Sequence, residues 1–509
     1  MSIKSPELMT SDIPRARFVL FLLCCPTVVL ALDFSTLYLA LSHIAVSFDT
    51  TSVEELWILD ISPLMLAGFL IPMGGICDRW GNSRVLLIGA AFFTVLLAIA
   101  SITPTASALI VVRAALGITG ATLMPATLGL IRELFQNPEQ RRRAFSIWTS
   151  AYMTGFALGP IISGTLLNFF GWRATFFLAV PFMLPLLMAG PMIFLKSKTF
   201  EIQRDYDWLS SILFLTAILP FVQGIQELVR TEIKFRTVLC LVWGLFAGGM
   251  FVVRQLKARH PLLDLNLILS NTGLATALII LLLAPSIIGC LTFFVPQYLH
   301  FTYGLSAVAV GSSIALAALG KIIGALLSPT LSRKARSTGV IIGMGLLVVS
   351  VGLVTIMFGV DLGPAWIVAG LVFVYLGNGP LDTLCTDIVV SSAPYGKGAS
   401  AAAAAETACE LGGGLGIAIF GTLGTAIYQR ILTDRLINGH MESSVIERTL
   451  NSFSVVMTEA SSLGGLEGVY LQEQASRAFA SGLTTIAGYT IILAIFLSII
   501  AFVFLRKTV

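Results

Sequence analysis

The sequence predicts an all-α membrane protein whose chain crosses the bilayer fourteen times, and three observations carry this prediction. Of the 509 residues, 56% are hydrophobic and 11% are charged, whereas a soluble domain carries roughly 25% charged residues. Apolar segments of about 20 residues, long enough for a ~30 Å hydrocarbon core, recur along almost the whole chain. The first of these segments is too long for a signal-peptide core and lacks a cleavage site, so we expect it to be retained.

The apolar segments give the order of the elements along the chain. An even number of spans places both termini on one side of the membrane. The predicted spans are residues 17–40, 56–76, 84–103, 106–131, 144–168, 173–195, 208–228, 236–254, 272–299, 306–331, 337–359, 364–392, 400–429 and 478–505.

The basic residues predict the orientation of the chain. With the N-terminus inside, the inside loops and both termini hold most of the 31 lysines and arginines. Because inside loops of membrane proteins are enriched in these residues, we expect both termini to be cytoplasmic. The long outside loop 431–477 is rich in Ser, Glu and Gly, and we expect a solvated connector or a small external cap.

Two stretches indicate an internal repeat. The sequence GGICDRWGNSR (Gly74–Arg84) follows span 2, and SPTLSRKARS (Ser328–Ser337) follows span 10, in the corresponding place if spans 7 and 8 are an insertion. Such repeats are typical of secondary transporters, whose substrate site lies near the midplane between the halves. The predicted units are a cytoplasmic N-terminus 1–16, a six-helix half 17–195, a linker with two additional helices 196–271, a second six-helix half 272–505 that includes loop 431–477, and a cytoplasmic C-terminus 506–509.

Charged residues within the spans mark the candidate site. Asp33, Asp60 and Arg113 each lie in an otherwise apolar span. A charge at a helix centre costs at least ~2.5–3.5 kcal/mol, so it should face a partner, a cavity or a moving ion. Glu406 and Glu410 stand four residues apart, on one face of span 13. Small residues around these two glutamates should leave open volume, in which the carboxyl groups hold protons or bind a cation.

Further charges in spans 10 and 12 suggest a pair. Lys321 lies in span 10, and Asp382 and Asp387 lie in span 12. We expect Lys321 to pair with Asp382, which would make a structural bridge. Lys321 also remains a candidate substrate contact together with Asp382.

Three motifs resemble signatures of the major facilitator superfamily. The loop Gly74–Arg84 matches the pattern G-x-x-x-D-R-x-G, in which Asp78 can form ion pairs with Arg79 and Arg84. The stretch Ile110–Ala121 resembles the span-4 motif with an intramembrane arginine. The stretch Gly155–Gly164 resembles a span-5 motif of proton-coupled exporters, whose glycines offer a smooth face to another helix and whose proline loosens the backbone ladder. The residues that carry the first and third motifs are Gly74, Asp78, Arg79, Gly81, Arg84, Gly155, Gly159, Pro160 and Gly164.

Spans 1 and 2 resemble a narrower group of proteins within this superfamily. The sequence LDFSTLYLALS (Leu32–Ser42) resembles the span-1 motif of the fourteen-span drug:proton antiporters, and Leu56–Gly75 resembles span 2 of the QacA/SmvA-like exporters of quaternary ammonium compounds. The resemblance implies a major facilitator fold of two six-helix halves plus two inserted helices. It also implies a monomer in the bacterial cytoplasmic (inner) membrane. Lys321 departs from the pattern, because it replaces an acid that we associate with QacA.

The implied activity is proton-coupled efflux of lipophilic cations, such as quaternary ammonium antiseptics and dyes, by alternating access. The residues expected to carry it are Asp33, Asp60, Glu406 and Glu410, with Arg113 assisting proton release. Aromatic side chains either add cation–π contacts or serve packing and the interfacial belt. These aromatic residues are Phe34, Tyr38, Trp57, Trp148, Tyr152 and Phe156.

Other classes of function stay open or are disfavoured. An exporter of an endogenous metabolite or natural product is the alternative, and an anionic substrate would suit Lys321. An enzyme is disfavoured because the sequence has no metal cluster, nucleophile elbow or phosphate loop, and its four histidines are scattered. A channel is disfavoured by the repeated halves. We expect no metal, no cofactor and no nucleic-acid partner, with the proton gradient as the energy source and lipophilic cations, protons and membrane lipids as partners.

Overall fold

The computed structural model describes residues 13–50, 52–194, 207–230, 235–258, 261–335, 337–394, 396–438, 456–457, 460 and 465–505. Within these ranges the regular structure is helical, with no strand. The predicted termini 1–16 and 506–509, the linker after span 6 and much of loop 431–477 lie wholly or partly outside the described residues.

Fourteen helices of the described chain are long and apolar enough to cross a membrane, which confirms the predicted fold class. A six-residue helix, Leu265–Ser270, precedes the ninth and was not predicted. The helices are α1 (Ile13–Phe48), α2 (Ser52–Trp80), α3 (Asn82–Ser101), α4 (Ala106–Leu134), α5 (Pro138–Phe170), α6 (Arg173–Phe194), α7 (Trp208–Arg230), α8 (Phe235–Lys257), α9 (Thr272–Tyr303), α10 (Ala307–Lys334), α11 (Thr338–Leu362), α12 (Pro364–Ser392), α13 (Gly398–Asn438) and α14 (Gly465–Phe504).

Local sequence explains where several helices begin. The side chain of Thr105 accepts a hydrogen bond from the Ala108 amide at the start of α4. Asn137 does the same for the first amides of α5, where Pro138 occupies the first turn. Short polar side chains at this position satisfy amides that the helix itself leaves unpaired. Gly81 joins α2 to α3 with a positive φ of 89°, a conformation that favours glycine.

The first and last six helices pack in the same order. In the first six, α1 packs on α5, α2 on α4, and α3 on α4 and α6. In the last six, α9 packs on α13, α10 on α12, and α11 on α12 and α14. Glycines allow equivalent close approaches, because a Cβ on Gly159 would overlap Ser35 of α1 and a Cβ on Gly412 would overlap the Leu282 carbonyl of α9. The repeated pairing fits the internal repeat read from the sequence.

Two helix pairs make the most extensive contacts between the halves, and the inserted helices lie beside one of them. Helix α5 packs on α10, and α2 packs on α13. Helix α7 packs on α2 and also contacts α13, with Ile71 of α2 in one apolar cluster with Phe214 and Ile218 of α7. Helix α8 packs on α7, and Arg254 ties the two by a 2.8 Å contact with Asp207.

The described part of loop 431–477 is helical and packed. Helix α13 contains a π-helical turn at Ile417–Gly421 and continues to Asn438, and α14 begins at Gly465, before the predicted start of its span. Leu436 and Leu471 are fully buried in one apolar cluster with Val456. These described residues pack against the second half.

Candidate functional site

Arg113 and Asp33 form a buried ion pair in the first half. Arg113 is 0% exposed, its Nη1 lies 2.6 Å from Oδ2 of Asp33, and its Nε donates to the carbonyl of Ile58 at 3.2 Å. The arginine of α4 therefore holds both α1 and α2. Gly117 makes this approach feasible, because any side chain there would overlap the carbonyl of Ser62 on α2.

The other oxygen of the Asp33 carboxyl is unsatisfied. Oδ1 is buried and has no hydrogen-bond partner among the described residues. A buried polar atom without a partner costs free energy, which a bound proton or water would recover. Asp60, the second acid of the first half, is partly buried on α2. The sequence places Asp33 and Arg113 in two separate spans, and the fold brings the two side chains together.

The second half contains the pair expected between spans 10 and 12. Nζ of Lys321 contacts Oδ2 of Asp382. The Asn378 amide, oriented with its nitrogen toward this carboxylate, donates to both oxygens at 3.1 and 3.2 Å. Gly379 packs directly on the backbone of α10 at Lys321, which explains why the two helices approach closely here.

Glu406 and Glu410 lie beside this pair on α13. Glu406 is within electrostatic range of Glu410, Asp382 and Lys321, and Lys321 is also within range of Glu410. Both side chains are partly exposed, and neither carboxylate has a hydrogen bond or ion pair from the described part of the chain. Open space adjoins Gly414, where a Cβ would meet no atom within 4 Å. Two unpaired carboxylates beside open space can bind a cation or protons.

Asp78 joins the two halves at the basic face, which is the side of the helix bundle carrying Arg79, Arg132, Arg141 and Lys334. Its carboxylate accepts hydrogen bonds of 2.9 Å from the amides of Ala399 and Ser400, at the first turn of α13. Carboxylates are favourable at a helix N-terminus. The expected ion pairs of Asp78 with Arg79 and Arg84 are wrong, because α13 supplies its partners instead.

Asp387 makes a second junction at the basic face. Its carboxylate lies 2.9 Å from Nε of Arg141 and 3.1 Å from Nε of Arg142, both on α5. Arg132 of α4 donates to the carbonyl of Ala393, just after α12. Neither contact was predicted, although the sequence shows a group of basic residues between spans 4 and 5. Their partners lie more than 240 residues away, and only the fold places them together.

The two halves are bonded in two further places at the basic face. The hydroxyls of Ser146 on α5 and Ser328 on α10 lie 3.1 Å apart. Glu139 of α5 lies 3.2 Å from Arg333 of α10. Together with the contacts of Asp78 and Asp387, these bonds close the basic face in this structure.

The candidate aromatic ligands differ in their surroundings. Trp148 is 5% exposed and donates to Oγ1 of Thr127 at 3.1 Å, so it belongs to the core. Tyr152 is partly buried against the same core. Trp57 and Phe156 are also partly buried. The side chains of Tyr38 and Pro160, and the surroundings of Gly164, lie outside the described part of the structure.

The span-5 glycines have a packing role. A Cβ on Gly155 would overlap the carbonyl of Val28, and the hydroxyl of Ser163 donates to the Thr36 carbonyl at 3.1 Å. Helix α5 thus presents its small residues to α1, as the sequence predicted. Among the described residues, no group of three or more His, Cys, Asp or Glu could hold a metal ion.

Comparison with known proteins places this geometry in a family. Residues 23–417 match the Major Facilitator Superfamily. The chain is 37% identical to the multidrug efflux pump LfrA of Mycolicibacterium smegmatis, over 82% of each chain. It is 30% identical to the methyl viologen resistance protein SmvA of Salmonella typhimurium, over 88% of this chain and 90% of the relative. The crystal structure of the human organic anion transporter MFSD10 (TETRAN) superposes with a TM-score of 0.59 at 13% identity, over 96% of this chain and 100% of that one, and shows the fold alone.

Proposed function

Because the chain belongs to the major facilitator superfamily, we propose that it exports drugs, and specifically lipophilic cations, in exchange for protons. As a member of this family it is a transporter and not an enzyme. Its relatives named above are a multidrug efflux pump and a methyl viologen resistance protein, which supports drugs as the substrates.

The observation that carries the proposal is the pair of unpaired carboxylates, Glu406 and Glu410. A cation in this low-dielectric space gains strong attraction from the two carboxylates, and apolar groups on the cation gain contact with the surrounding helices. A proton on either glutamate removes one negative charge and weakens that attraction. The cation and the proton therefore exclude each other, and this exclusion couples the two fluxes.

Asp33 and Asp60 supply the proton sites of the first half in this account. The unsatisfied oxygen of Asp33 can take a proton, and Arg113 stabilises the carboxylate once the proton has left. Transfer of protons between the aqueous phase and these acids requires the site to open to each side in turn. Alternating access provides that opening.

The closed basic face supports the same cycle. The positive-inside rule makes this face cytoplasmic, with both termini inside, in the inner membrane of a bacterium. The bonds of Asp78 and Asp387 then hold the cytoplasmic side shut, and the site faces outward. Uptake of the drug from the cytoplasm or inner leaflet requires these bonds to break. We propose a monomer, since the two halves supply both sides of the site.

The driving force depends on the number of protons exchanged. One monovalent cation out for one proton in moves no net charge, so the pH gradient alone drives the cycle. A second proton adds the membrane potential, worth ~2.3 kcal/mol per 100 mV. The protein needs no cofactor in either case.

The alternative is an exporter of an endogenous metabolite or natural product. In the sequence, the positive charge of Lys321 favoured an anionic substrate for such an exporter. In the structure Asp382 neutralises this lysine. The surplus charge of the site is then negative, which favours a cation over an anion.

Proton release on binding tests the proposal. Purified protein is titrated with tetraphenylphosphonium by calorimetry, in buffers that differ in ionisation enthalpy. We expect the binding heat to depend on the buffer, because the cation displaces a proton, and we expect Glu406→Gln together with Glu410→Gln to abolish this dependence. Binding that is indifferent to the buffer at every pH, or unaltered by the double change, would contradict the proposal.

A further inference from the structure

Lys321 interacts with acids on two different helices. Its ammonium contacts the Asp382 carboxylate on α12, and it is within electrostatic range of Glu406 and Glu410 on α13. A lysine side chain is a flexible four-carbon stem with a compact charge, so it can exchange partners without movement of the backbone. Lys321 is therefore a cation, fixed to the protein, within range of the carboxylates that we assign to the transported cation.

The Lys321–Asp382 pair is partly exposed, in contrast to the pair of the first half. The side chains of Lys321 and Asp382 are 12% and 20% exposed, whereas those of Arg113 and Asp33 are each 1% exposed. Water weakens the attraction between the charges of a partly exposed pair. The Lys321–Asp382 pair is therefore easier to separate than the sealed pair, and Lys321 can change partners.

We propose that Lys321 is a tethered competitor, which Asp382 holds away from Glu406 and Glu410 and which displaces the transported cation from them when the Lys321–Asp382 contact breaks. This inference rests on the proposed function and adds a positioning residue to it. While Lys321 stays at Asp382, the two glutamates bind the drug. When Lys321 leaves Asp382 it remains charged and turns to the glutamates, and no covalent bond forms or breaks.

The groups around Asp382 are consistent with this exchange. From α10 it faces Lys321, and from α13 it faces Glu406 and Cys409. On its own helix the titratable neighbours are Tyr375, near Lys321, and Cys385. Helix α11 packs on the other side of α12, and its sequence carries a single charge, Asp361, at the far end. Helix α9 also packs on α12 and contributes Cys290, Tyr298, His300 and Tyr303 as its titratable residues.

Binding of tetraphenylphosphonium to the purified full-length protein tests the competition. The variants are Asp382→Asn, Lys321→Met and the combination of the two, measured at about pH 7.5 with radiolabelled ligand. Asp207→Asn is the matched control, because it removes the acid of an Asp–Arg pair on the inserted helices, away from the site. Asp382→Glu keeps a carboxylate for Lys321 and controls for misfolding, together with size-exclusion profiles of every variant.

We expect Asp382→Asn to raise Kd about tenfold, because Lys321 then occupies the glutamates at neutral pH. Adding Lys321→Met to Asp382→Asn should return Kd to the wild-type value or below. Asp207→Asn should bind as the wild type does, and Asp382→Glu should bind more tightly than Asp382→Asn.

Two results overturn the inference. One is a folded Asp382→Asn variant that binds as tightly as the wild type. The other is a folded double variant that binds as weakly as Asp382→Asn, which would make the pair a structural bridge. The proposed function fails separately, if Glu406→Gln with Glu410→Gln leaves Kd unchanged or the wild type binds no cation, and the competition then fails with it.

Discussion

Arg113 on α4 holds Asp33 on α1 with a distance of 2.6 Å between Nη1 and Oδ2, while the second oxygen of Asp33 stays unsatisfied. The two residues are 80 positions apart, and a third helix joins them through the carbonyl of Ile58. The pair thus fixes the arrangement of α1, α2 and α4 and leaves one buried carboxylate oxygen without a hydrogen-bond partner in the described part of the chain.

Removing Arg113 alone should destabilise the protein more than removing both Arg113 and Asp33. Arg113→Ala leaves a buried carboxylate without its counter-charge, which costs roughly 3–5 kcal/mol. We expect this variant to lower the midpoint of thermal unfolding in detergent strongly, and we expect Arg113→Ala with Asp33→Ala to recover part of the loss. Equal midpoints for the single and double variants would contradict the coupling of the two side chains.

Asp387 should control the closure of the basic face. Asp387→Asn leaves Arg141 and Arg142 without their carboxylate, so conformations with this face open should become about tenfold more populated, a shift of ~1.4 kcal/mol. Electron–electron resonance between spin labels at Gln136 and Lys334 measures the separation of the two halves.

The control for this experiment is Arg143→Gln. Arg143 pairs with Glu139 at the surface, where its side chain is 55% exposed, and such pairs contribute little. We expect its distance distribution to match the wild type. A distribution in Asp387→Asn that is also unchanged would show that the other bonds of the basic face suffice.

Glycines on α13 should differ in their tolerance of a side chain. A Cβ on Gly412 would overlap the Leu282 carbonyl of α9, so Gly412→Ala forces backbone movement, at a cost of about 1–3 kcal/mol. Gly414→Ala meets open space and should leave the thermal midpoint unchanged. Equal destabilisation by the two substitutions would mean that α13 does not pack on α9 as described.

The ion pair between Asp207 and Arg254, which joins the two inserted helices, should weaken in acid. Burial alone would raise the pKa of Asp207, but hydrogen bonds from Arg254 and Ser210 outweigh it and hold this pKa below its usual value. A carboxyl whose pKa falls on folding contributes stability above its unfolded value, near 3.9, and loses that contribution as pH falls through its folded value. We therefore expect the amides at the start of α7 to exchange hydrogen faster below about pH 4, relative to the rest of α7.

Asp207→Asn should remove this extra acid sensitivity of α7. The variant lacks the charge that titrates, so its exchange should be faster at neutral pH and should change less on acidification. An unchanged profile would show that Asp207 does not stabilise the hairpin of α7 and α8.

The sequence predicted those features that depend on local pattern or on the cost of burying charge. The helix count, the i,i+4 placement of Glu406 and Glu410, and the pairing of Lys321 with Asp382 all follow from such arguments. The partner of Asp78 did not, because a helix N-terminus 321 residues away competes with the nearby arginines. The role of Asp387 stayed open for the same reason, since span 12 alone does not reveal that α5 lies beside it.

Proton flux in liposomes tests the central claim most directly. The purified protein is reconstituted with an internal pH dye and an imposed proton gradient, and tetraphenylphosphonium, a bis-quaternary compound and an organic anion are added in turn. We predict proton movement on addition of the cations, lost in Glu406→Gln and in Asp33→Asn. Proton movement with the anion but with neither cation would contradict the account.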